Sequence, residues 1–155
     1  MRRAHVGDLE VVRSVLEEAS AWLLARGIEQ WPARWGDEWI VPALSEGETW
    51  LAADGGEVVG TITLQSRDDL VWPGEPPVAG YVHRLAVRRG AAGRGADLLT
   101  WGEHQVVAAG RTLVRLDCWG GNARLRAYYE AAGYRHVDDV SEHTWTVSRY
   151  EKRVG

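Results

Sequence analysis

LAVRRGAAGRGADLL, residues Leu85–Leu99, is the most informative stretch of this sequence. An apolar run ends at Val87, a glycine-rich segment follows, and Leu98-Leu99 open an apolar stripe with helical spacing. Glycines let the backbone turn tightly between a strand and a helix, and a helix N-terminus offers unpaired N–H groups to an anion. The segment therefore predicts a strand, a turn and a helix whose start can hold a phosphate.

Two common nucleotide-binding motifs do not match this turn. Its glycines are spaced G-x-x-G-x-G, not G-x-G-x-x-G, and the sequence contains no G-x-x-x-x-G-K-[ST]. We therefore expect neither a Rossmann nor a Walker site. A nucleotide such as ATP or NAD held by the turn stays an alternative, as does a turn that needs glycine for its geometry only.

Hydrophobic periodicity on both sides of the turn predicts alternating helices and strands. The predicted elements are, in order, a helix capped by Asp8 and stopped by Gly27, a helix over Asp37–Leu44, a hairpin of Thr49–Ala53 and Val58–Gln65, a loop over Ser66–Ala79, a strand over Tyr81–Val87, a helix over Ala96–Ala109, a strand over Leu113–Cys118, a helix over Asn122–Ala132, and strands over Tyr134–Asp138 and Thr144–Tyr150. Strand, helix, strand in succession predicts a parallel pair within a mixed sheet.

Length and composition narrow the class of protein. The chain has 155 residues, 45% hydrophobic and 26% charged, which predicts one globular domain over residues 1–155. A net charge of -4 without a basic block argues against nucleic acid as a partner, and no apolar run is long enough to span a membrane. Cys118 is the only cysteine, so we expect no intrachain disulfide, no multi-thiolate zinc site and a cytoplasmic protein, and we predict no metal ligands. Asp8 and Glu10 come before any apolar segment, so we expect no signal peptide. A homodimer is compatible with the sequence.

The strand Leu85-Ala86-Val87, the glycine-rich turn, Leu98-Leu99, Asn122 and the segment YYEAAGY at 128–134 together resemble the GNAT N-acetyltransferase superfamily in content and order. The resemblance implies an α/β fold with a mixed, mostly antiparallel central sheet, a splayed parallel strand pair, and helices on both faces. It also implies an enzyme that moves an acetyl group from acetyl-CoA to a primary amine. A CoA-binding module without transfer activity is the alternative.

The resemblance implies where acetyl-CoA binds. Leu85, Ala86 and Val87 would pair with the pantetheine arm, and the turn would hold the pyrophosphate. The family signature Q/R-x-x-G-x-G/A fits in two registers, and we prefer the one anchored on Leu98-Leu99 because the alternative puts Asp97 against the pyrophosphate. The cofactor-binding residues predicted in this register, besides the three strand residues, are Arg88, Arg89, Gly90, Gly93, Arg94, Gly95, Ala96 and Asn122.

The resemblance also assigns catalytic roles. Tyr129 occupies the position of the family's general acid, which protonates the departing thiolate. The base is left open between His83, on the strand beside the thioester, Glu38 and an ordered water. Asn122 heads a helix, so an N-cap role is open beside the cofactor role.

Trp31, Trp35 and Trp39 recur at a spacing of four, which places them on one face of a helix. Core packing is one interpretation. The other follows from the family, in which this stretch borders the acceptor site, so Trp31, Trp35 and Glu38 would bind a small cationic amine by cation–π and charge contacts.

Overall fold

The computed structural model of the chain describes residues 1–142 and 145–155. Its seven strands are β1 (Arg2–Arg3), β2 (Thr49–Asp54), β3 (Glu57–Gln65), β4 (Ala79–Val87), β5 (Leu113–Trp119), β6 (Arg135–Glu142) and β7 (Trp145–Arg153). Its four α-helices are α1 (Leu9–Leu24), α2 (Asp37–Ser45), α3 (Arg94–Ala108) and α4 (Ala123–Ala131). Within this described part, no helix is both long and apolar enough to cross a membrane.

The strands form one mixed sheet in the order β1-β2-β3-β4-β5-β7-β6. The hairpin β2–β3 and the pairs β5–β7 and β6–β7 are antiparallel, whereas β4 and β5 run parallel, with Ala79–Tyr81 opposite Leu113–Arg115. This arrangement confirms the predicted mixed, mostly antiparallel α/β fold with a parallel pair.

The chain packs as two compact units. The first comprises Met1–Leu64 and His83–Gly102, and the second comprises Gln65–Val82 and Glu103–Gly155. Because the units interleave in sequence, strand β4 contributes residues to both.

In the first unit, α1 and α2 cover an apolar core. The buried stripe of α1 consists of Val12, Val15 and Leu16, spaced so that they share one face. They pack with Ile40 of α2 and Leu51 of β2, all at most 2% exposed. Burying each of these side chains contributes roughly 1.5–3 kcal/mol, so this core is a main source of the unit's stability.

In the second unit, Trp72 anchors the long loop before β4. Its ring is 2% exposed and packs with Ala79 and Tyr81. The guanidinium of Arg115 lies 4.7 Å from the Trp72 ring centroid, and that of Arg149 lies 4.4 Å from it. The loop, which the sequence predicts to lie on the surface, is thus attached to the unit through the buried Trp72 ring and its contacts with two arginines.

The last strand ends near the chain's only lysine. The Lys152 ammonium lies 3.0 and 3.1 Å from the two carboxylate oxygens of Glu103, and 5.6 Å from the ring centroid of Tyr134. The Tyr134 hydroxyl donates to the same carboxylate at 2.9 Å. Glu103 therefore ties α3 to the C-terminal strand of the second unit.

Most predicted elements are confirmed within a few residues at each end, including both hairpin strands. Thr144, the predicted start of the last strand, lies outside the described residues. The short β1 and two 3₁₀ turns, at Val6–Asp8 and Arg89–Ala91, were not predicted because each has too few residues to show a period.

The capping role predicted for Asp8 is wrong. Its carboxylate makes no capping hydrogen bond to α1. Instead it accepts from the backbone N–H of His5 at 3.0 Å and pairs with Arg2 at 2.8 Å. The Asp8 carboxylate thus bonds within the 3₁₀ turn that precedes α1. Residue preferences at helix starts do not distinguish this arrangement from a simple cap.

Candidate functional site

The glycine-rich turn borders an open cleft in the first unit. The cleft has a volume of about 530 Å³ and is lined by Glu18, Asp54, Glu57, Val58, Val59, Arg88, Gly90, Ala91, Ala92 and Arg94. Three predicted cofactor residues, Arg88, Gly90 and Arg94, therefore lie together on its wall. The predicted residues Arg89, Gly93, Gly95 and Ala96 belong to the same turn but are not among the lining residues.

The backbone of the turn is shaped by its glycines. A 3₁₀ turn over Arg89–Ala91 leads into α3, which begins at Arg94. Gly93 has a φ of +100°, a conformation that side chains with a Cβ disfavour. A Cβ placed on Gly90, Gly93 or Gly95 would meet nothing within 4 Å, so the turn faces open space. The first N–H groups of α3 lack partners within the helix and are suited to an anion.

Arg88 is held rigidly beside this turn. Its backbone N–H donates to the Val59 carbonyl at 2.8 Å, and its Nε donates to the Val58 carbonyl at 3.0 Å. These two bonds join the end of β4 to β3. The remaining nitrogens of the guanidinium are left to face the cleft, where Glu18 lies 3.8 Å away.

Three carboxylates in the cleft were not predicted. Glu18 of α1 accepts from the backbone N–H of Arg89 at 2.8 Å, and Asp54 pairs with Arg94 at 2.5 Å. Glu57 is the third. They come from a helix and a hairpin turn far from Arg88–Arg94 in the sequence, so spacing along the chain gives no signal of their approach.

The strand residues predicted to pair with a pantetheine arm follow an irregular residue. Arg84 has a φ of +50°, so the regular alternation of sides along β4 is interrupted there. Beyond it, Ala86 is 6% exposed and packs into the core of the first unit, whereas Leu85 and Val87 are half-buried. His83, the predicted base, is also half-buried and belongs to the same unit.

Tyr129, the predicted acid, lies in α4 of the second unit and is 7% exposed. Its ring contacts Tyr128, Tyr134 and Tyr150, with centroids 5.8 to 6.0 Å away. Burial, followed by the charges of Cys118 and Asp117, raises the pKa of the Tyr129 hydroxyl above its ordinary value. The hydroxyl is therefore protonated throughout the working range of pH.

Asn122 and Cys118 have structural roles in the second unit. The Asn122 side chain accepts from the Leu125 N–H at 3.1 Å and caps α4, which confirms the capping interpretation. Gly133, with a φ of +93°, ends the same helix. Cys118 is fully buried, and burial raises the pKa of its thiol to about 12, so the thiol is not a nucleophile at neutral pH.

Trp31 and Trp35 lie in the non-helical connection between α1 and α2, and Trp39 lies in α2, so the predicted single helix face is wrong. The three rings nevertheless form an edge-to-face series. The Trp31 and Trp35 centroids are 5.6 Å apart, and those of Trp35 and Trp39 are 6.0 Å apart. Trp35 is 6% exposed and its Nε1 donates to the Ser20 hydroxyl at 3.0 Å, so this indole belongs to the core. Trp31 is half-buried, whereas Trp39 and Glu38 are exposed and available to a ligand.

Comparisons of the sequence with known proteins find acetyltransferases. The sequence profile described as the Acetyltransferase (GNAT) family matches residues 15–134. An uncharacterized N-acetyltransferase, YesJ of Bacillus subtilis (strain 168), is 28% identical over 140 residues, covering 84% of this chain and 78% of YesJ.

Two solved structures share the fold. A GNAT-family acetyltransferase from Listeria monocytogenes 4b F2365 has a TM-score of 0.77 at 20% identity, over 99% of this chain and 93% of that one. An aminoglycoside acetyltransferase in complex with coenzyme A and kanamycin has a TM-score of 0.75 at 17% identity, over 98% of this chain and 92% of that one.

Proposed function

The chain belongs to the GNAT family of acetyltransferases, and from that premise we propose that it transfers the acetyl group of acetyl-CoA to the primary amine of a small acceptor. The observation that carries the proposal is the cleft at the start of α3. It combines the Arg88 and Arg94 side chains, the N-terminus of a helix and glycines with open space before them. These groups fit a diphosphate.

Two carboxylates of the cleft compete with this ligand, because they occupy donors that a diphosphate would use. Glu18 is held by a backbone N–H and Asp54 by Arg94. Binding of a diphosphate would replace these carboxylates as the partners of the same donors. Arg88, Arg94 and the turn would then hold the phosphates, and Leu85–Val87 the pantetheine arm.

When bound, acetyl-CoA supplies an activated thioester: the amine nitrogen forms a C–N bond with the acetyl carbon, and the C–S bond breaks. An alkylamine with a pKa of about 10.4 is mostly protonated at neutral pH, so a base must take its proton. His83 or a water fills this role in our proposal. Tyr129 donates its phenolic proton to the departing thiolate and regains a proton from the amine, so that protons balance over one turnover.

The acceptor is the less defined partner. Exposed Trp39 and Glu38, with Trp31 in the same series of indoles, support a small acceptor whose ammonium group contacts indole and carboxylate. Trp35, whose own indole is buried, packs against the Trp31 and Trp39 rings and supports them. We propose that the reaction takes place in the cytoplasm and that acetyl-CoA is its cosubstrate.

Calorimetric titration of the purified protein with acetyl-CoA tests the cofactor, with ATP and NAD as controls. We expect selective micromolar binding of acetyl-CoA. A screen of amines, followed by release of the CoA thiol, then tests transfer. Binding of ATP or NAD with equal affinity would contradict the assignment of the cleft, because the proposal requires the pantetheine arm to contribute.

The same pair of measurements separates an enzyme from a binding module. Acetyl-CoA binding with no thiol release across a broad panel of amines would indicate a module that binds CoA without transfer. Absence of acetyl-CoA binding would remove both interpretations together with the roles of Tyr129 and His83.

A further inference from the structure

Arg84 is the one non-glycine residue of the described chain with a positive φ, at +50°. A bulky residue in this conformation costs about 1–3 kcal/mol and persists only where its surroundings determine it. Arg84 lies in β4, directly before the strand residues Leu85–Val87 that the proposed function assigns to the cosubstrate. A long cationic side chain is therefore attached immediately before the strand residues assigned to the cosubstrate.

The Arg84 side chain rests on a rigid aromatic support. Its guanidinium carbon lies 5.6 Å from the ring centroid of Trp35. Trp35 is fixed at both ends, because its indole N–H donates to Ser20 at 3.0 Å and its backbone N–H donates to Glu17 at 3.1 Å. A guanidinium stacked on a fixed ring loses little further freedom when it binds a ligand.

Within the described part of the chain, the contacts of the Arg84 guanidinium are its stacking on Trp35 and the attraction of the Glu48 charge. Arg84 is half-buried, yet it forms neither a hydrogen bond nor an ion pair there. Other arginines of the same unit are paired: Arg2 with Asp8, Arg34 with Glu17, Arg88 with Glu18 and Arg94 with Asp54. Burial lowers the pKa of Arg84, and Glu48 only partly opposes this effect. An unpaired guanidinium removed from water is poised to take an oxyanion.

We propose that Arg84, stacked on Trp35, binds a carboxylate of the acceptor, so that the acceptor is an amine that also carries a carboxylate. This inference rests on the proposed function and narrows its substrate class: the cationic amine expected from the sequence becomes a zwitterion. A carboxylate is favoured over a phosphate because Glu48, whose charge acts on Arg84, would repel a doubly charged phosphate more strongly than a singly charged carboxylate. The planar, bidentate fork of a guanidinium also matches a carboxylate.

The first test measures binding without turnover. Ligand-detected NMR compares α-, β- and γ-amino acids with their carboxamides, and includes an aminoalkyl phosphate. We expect the free acids to bind the wild-type protein better than their amides, and Arg84→Gln to abolish that preference. Binding of acids and amides with equal strength to the wild-type protein would overturn the proposal. A preference for the aminoalkyl phosphate would overturn the choice of carboxylate.

The second test measures acetylation of the same panel. For the best acid, Arg84→Gln should lower kcat/KM at least about ten-fold, the loss expected for a hydrogen bond to a charged group. The value for the matching amide and the dissociation constant of acetyl-CoA should stay unchanged. Arg84→Lys should recover part of the loss, because it restores the charge without the fork.

Arg3→Gln provides the matched control. The Arg3 guanidinium also lies over an indole, 4.8 Å from the Trp50 centroid, but Arg3 is exposed and far from β4 in the sequence. This variant should behave as the wild type. Equal turnover of acids and amides by the wild type would contradict the role of Arg84 and leave the acetyltransferase assignment intact. Selective binding of acids without acetylation would support the role of Arg84 and contradict the acetyltransferase assignment. Absence of both binding and turnover would contradict both proposals.

Discussion

Tyr129 combines a buried hydroxyl with a ring held on three sides by other tyrosines. Because burial raises its pKa, the proton stays on oxygen until a strong base such as a nascent thiolate needs it. The same burial makes the resulting phenolate costly, so proton transfer has to be coupled to return of a proton from the amine. These properties support the proposed role of this residue as an acid rather than a base.

Replacing Tyr129 with Phe tests that role. We expect kcat to fall at least about 100-fold, the usual contribution of general acid catalysis, while the dissociation constant of acetyl-CoA changes less than about two-fold. Tyr128→Phe, at the exposed neighbouring position, should leave both values near those of the wild type. An unchanged kcat in Tyr129→Phe would end the assignment.

Glu18 affects the cleft in the opposite sense, because its carboxylate occupies a backbone N–H that the proposal assigns to a phosphate. Glu18→Gln should therefore tighten acetyl-CoA binding about three-fold or more at low ionic strength, with a smaller gain at high salt. Isothermal titration at two salt concentrations checks this. Glu10→Gln removes the same charge from an exposed position of α1 and is the control. Weaker binding by the Glu18 variant would mean that this carboxylate orders the turn instead.

At the scale of secondary-structure elements, the turn between β4 and α3 needs one of its glycines for its backbone path but does not need another. Gly93 has a φ of +100°, whereas Gly95 is an ordinary residue of the first turn of α3. Neither position would bring a Cβ within 4 Å of other atoms. The two positions therefore differ in backbone conformation and not in the space available to a side chain.

Alanine at these two positions should have opposite effects on stability. Gly93→Ala places a Cβ in a left-handed conformation and should lower the free energy of unfolding by about 1–2 kcal/mol. Gly95→Ala should raise it by up to about 1 kcal/mol, because alanine favours a helix. Urea denaturation of both variants measures the difference. Equal stability of the two would show that the turn adopts another backbone path in solution.

The elements were predictable where a period or a turn signal is long enough to read. The α1 stripe, the Gly55-Gly56 hairpin turn and the Asn122–Gly133 boundaries of α4 all follow from local rules, and the structure agrees with them. The positive φ of Arg84 could not be read, because nothing in the residue type favours it. The contact of Glu18 with the turn joins residues 71 positions apart and depends on how α1 packs.

The residues of the candidate site also divide into features that the sequence could predict and features that it could not. The resemblance named Arg88, Gly90 and Arg94 together as cofactor residues, and the three line one cleft because the strand–turn–helix order is local. It left the burial of Trp35 open between core and substrate contact, because a spacing of four fits both. The structure assigns that indole to the core through its bond to Ser20.

For the whole molecule, acid sensitivity follows from carboxylates held by arginines. Both carboxylate oxygens of Asp138 accept from Arg149 at 2.6 Å, and this contact lowers the pKa of Asp138. Arg2 likewise lowers the pKa of Asp8. A carboxyl group whose pKa is lower in the folded state stabilises the fold above its unfolded pKa, near 3.9. That contribution disappears as the pH falls toward the folded pKa.

We therefore expect the free energy of unfolding to decline as the pH falls from about 5 to 2, and to decline less steeply in Asp138→Asn. Urea midpoints at several pH values measure the slope. Asp69→Asn removes an exposed carboxylate from a surface ion pair and should keep the wild-type slope. An identical slope in Asp138→Asn would mean that the contact with Arg149 persists in the unfolded chain.

The pairing of Lys152 with Glu103 has a chemical consequence for a protein that handles an activated acyl group. Guanidinium groups stay protonated and are poor nucleophiles, so in a sequence with one lysine the only alkylammonium side chain is the one that is paired with Glu103. We expect this ion pair to slow acylation of the lysine by thioesters, because the pair has to break before the nitrogen can attack.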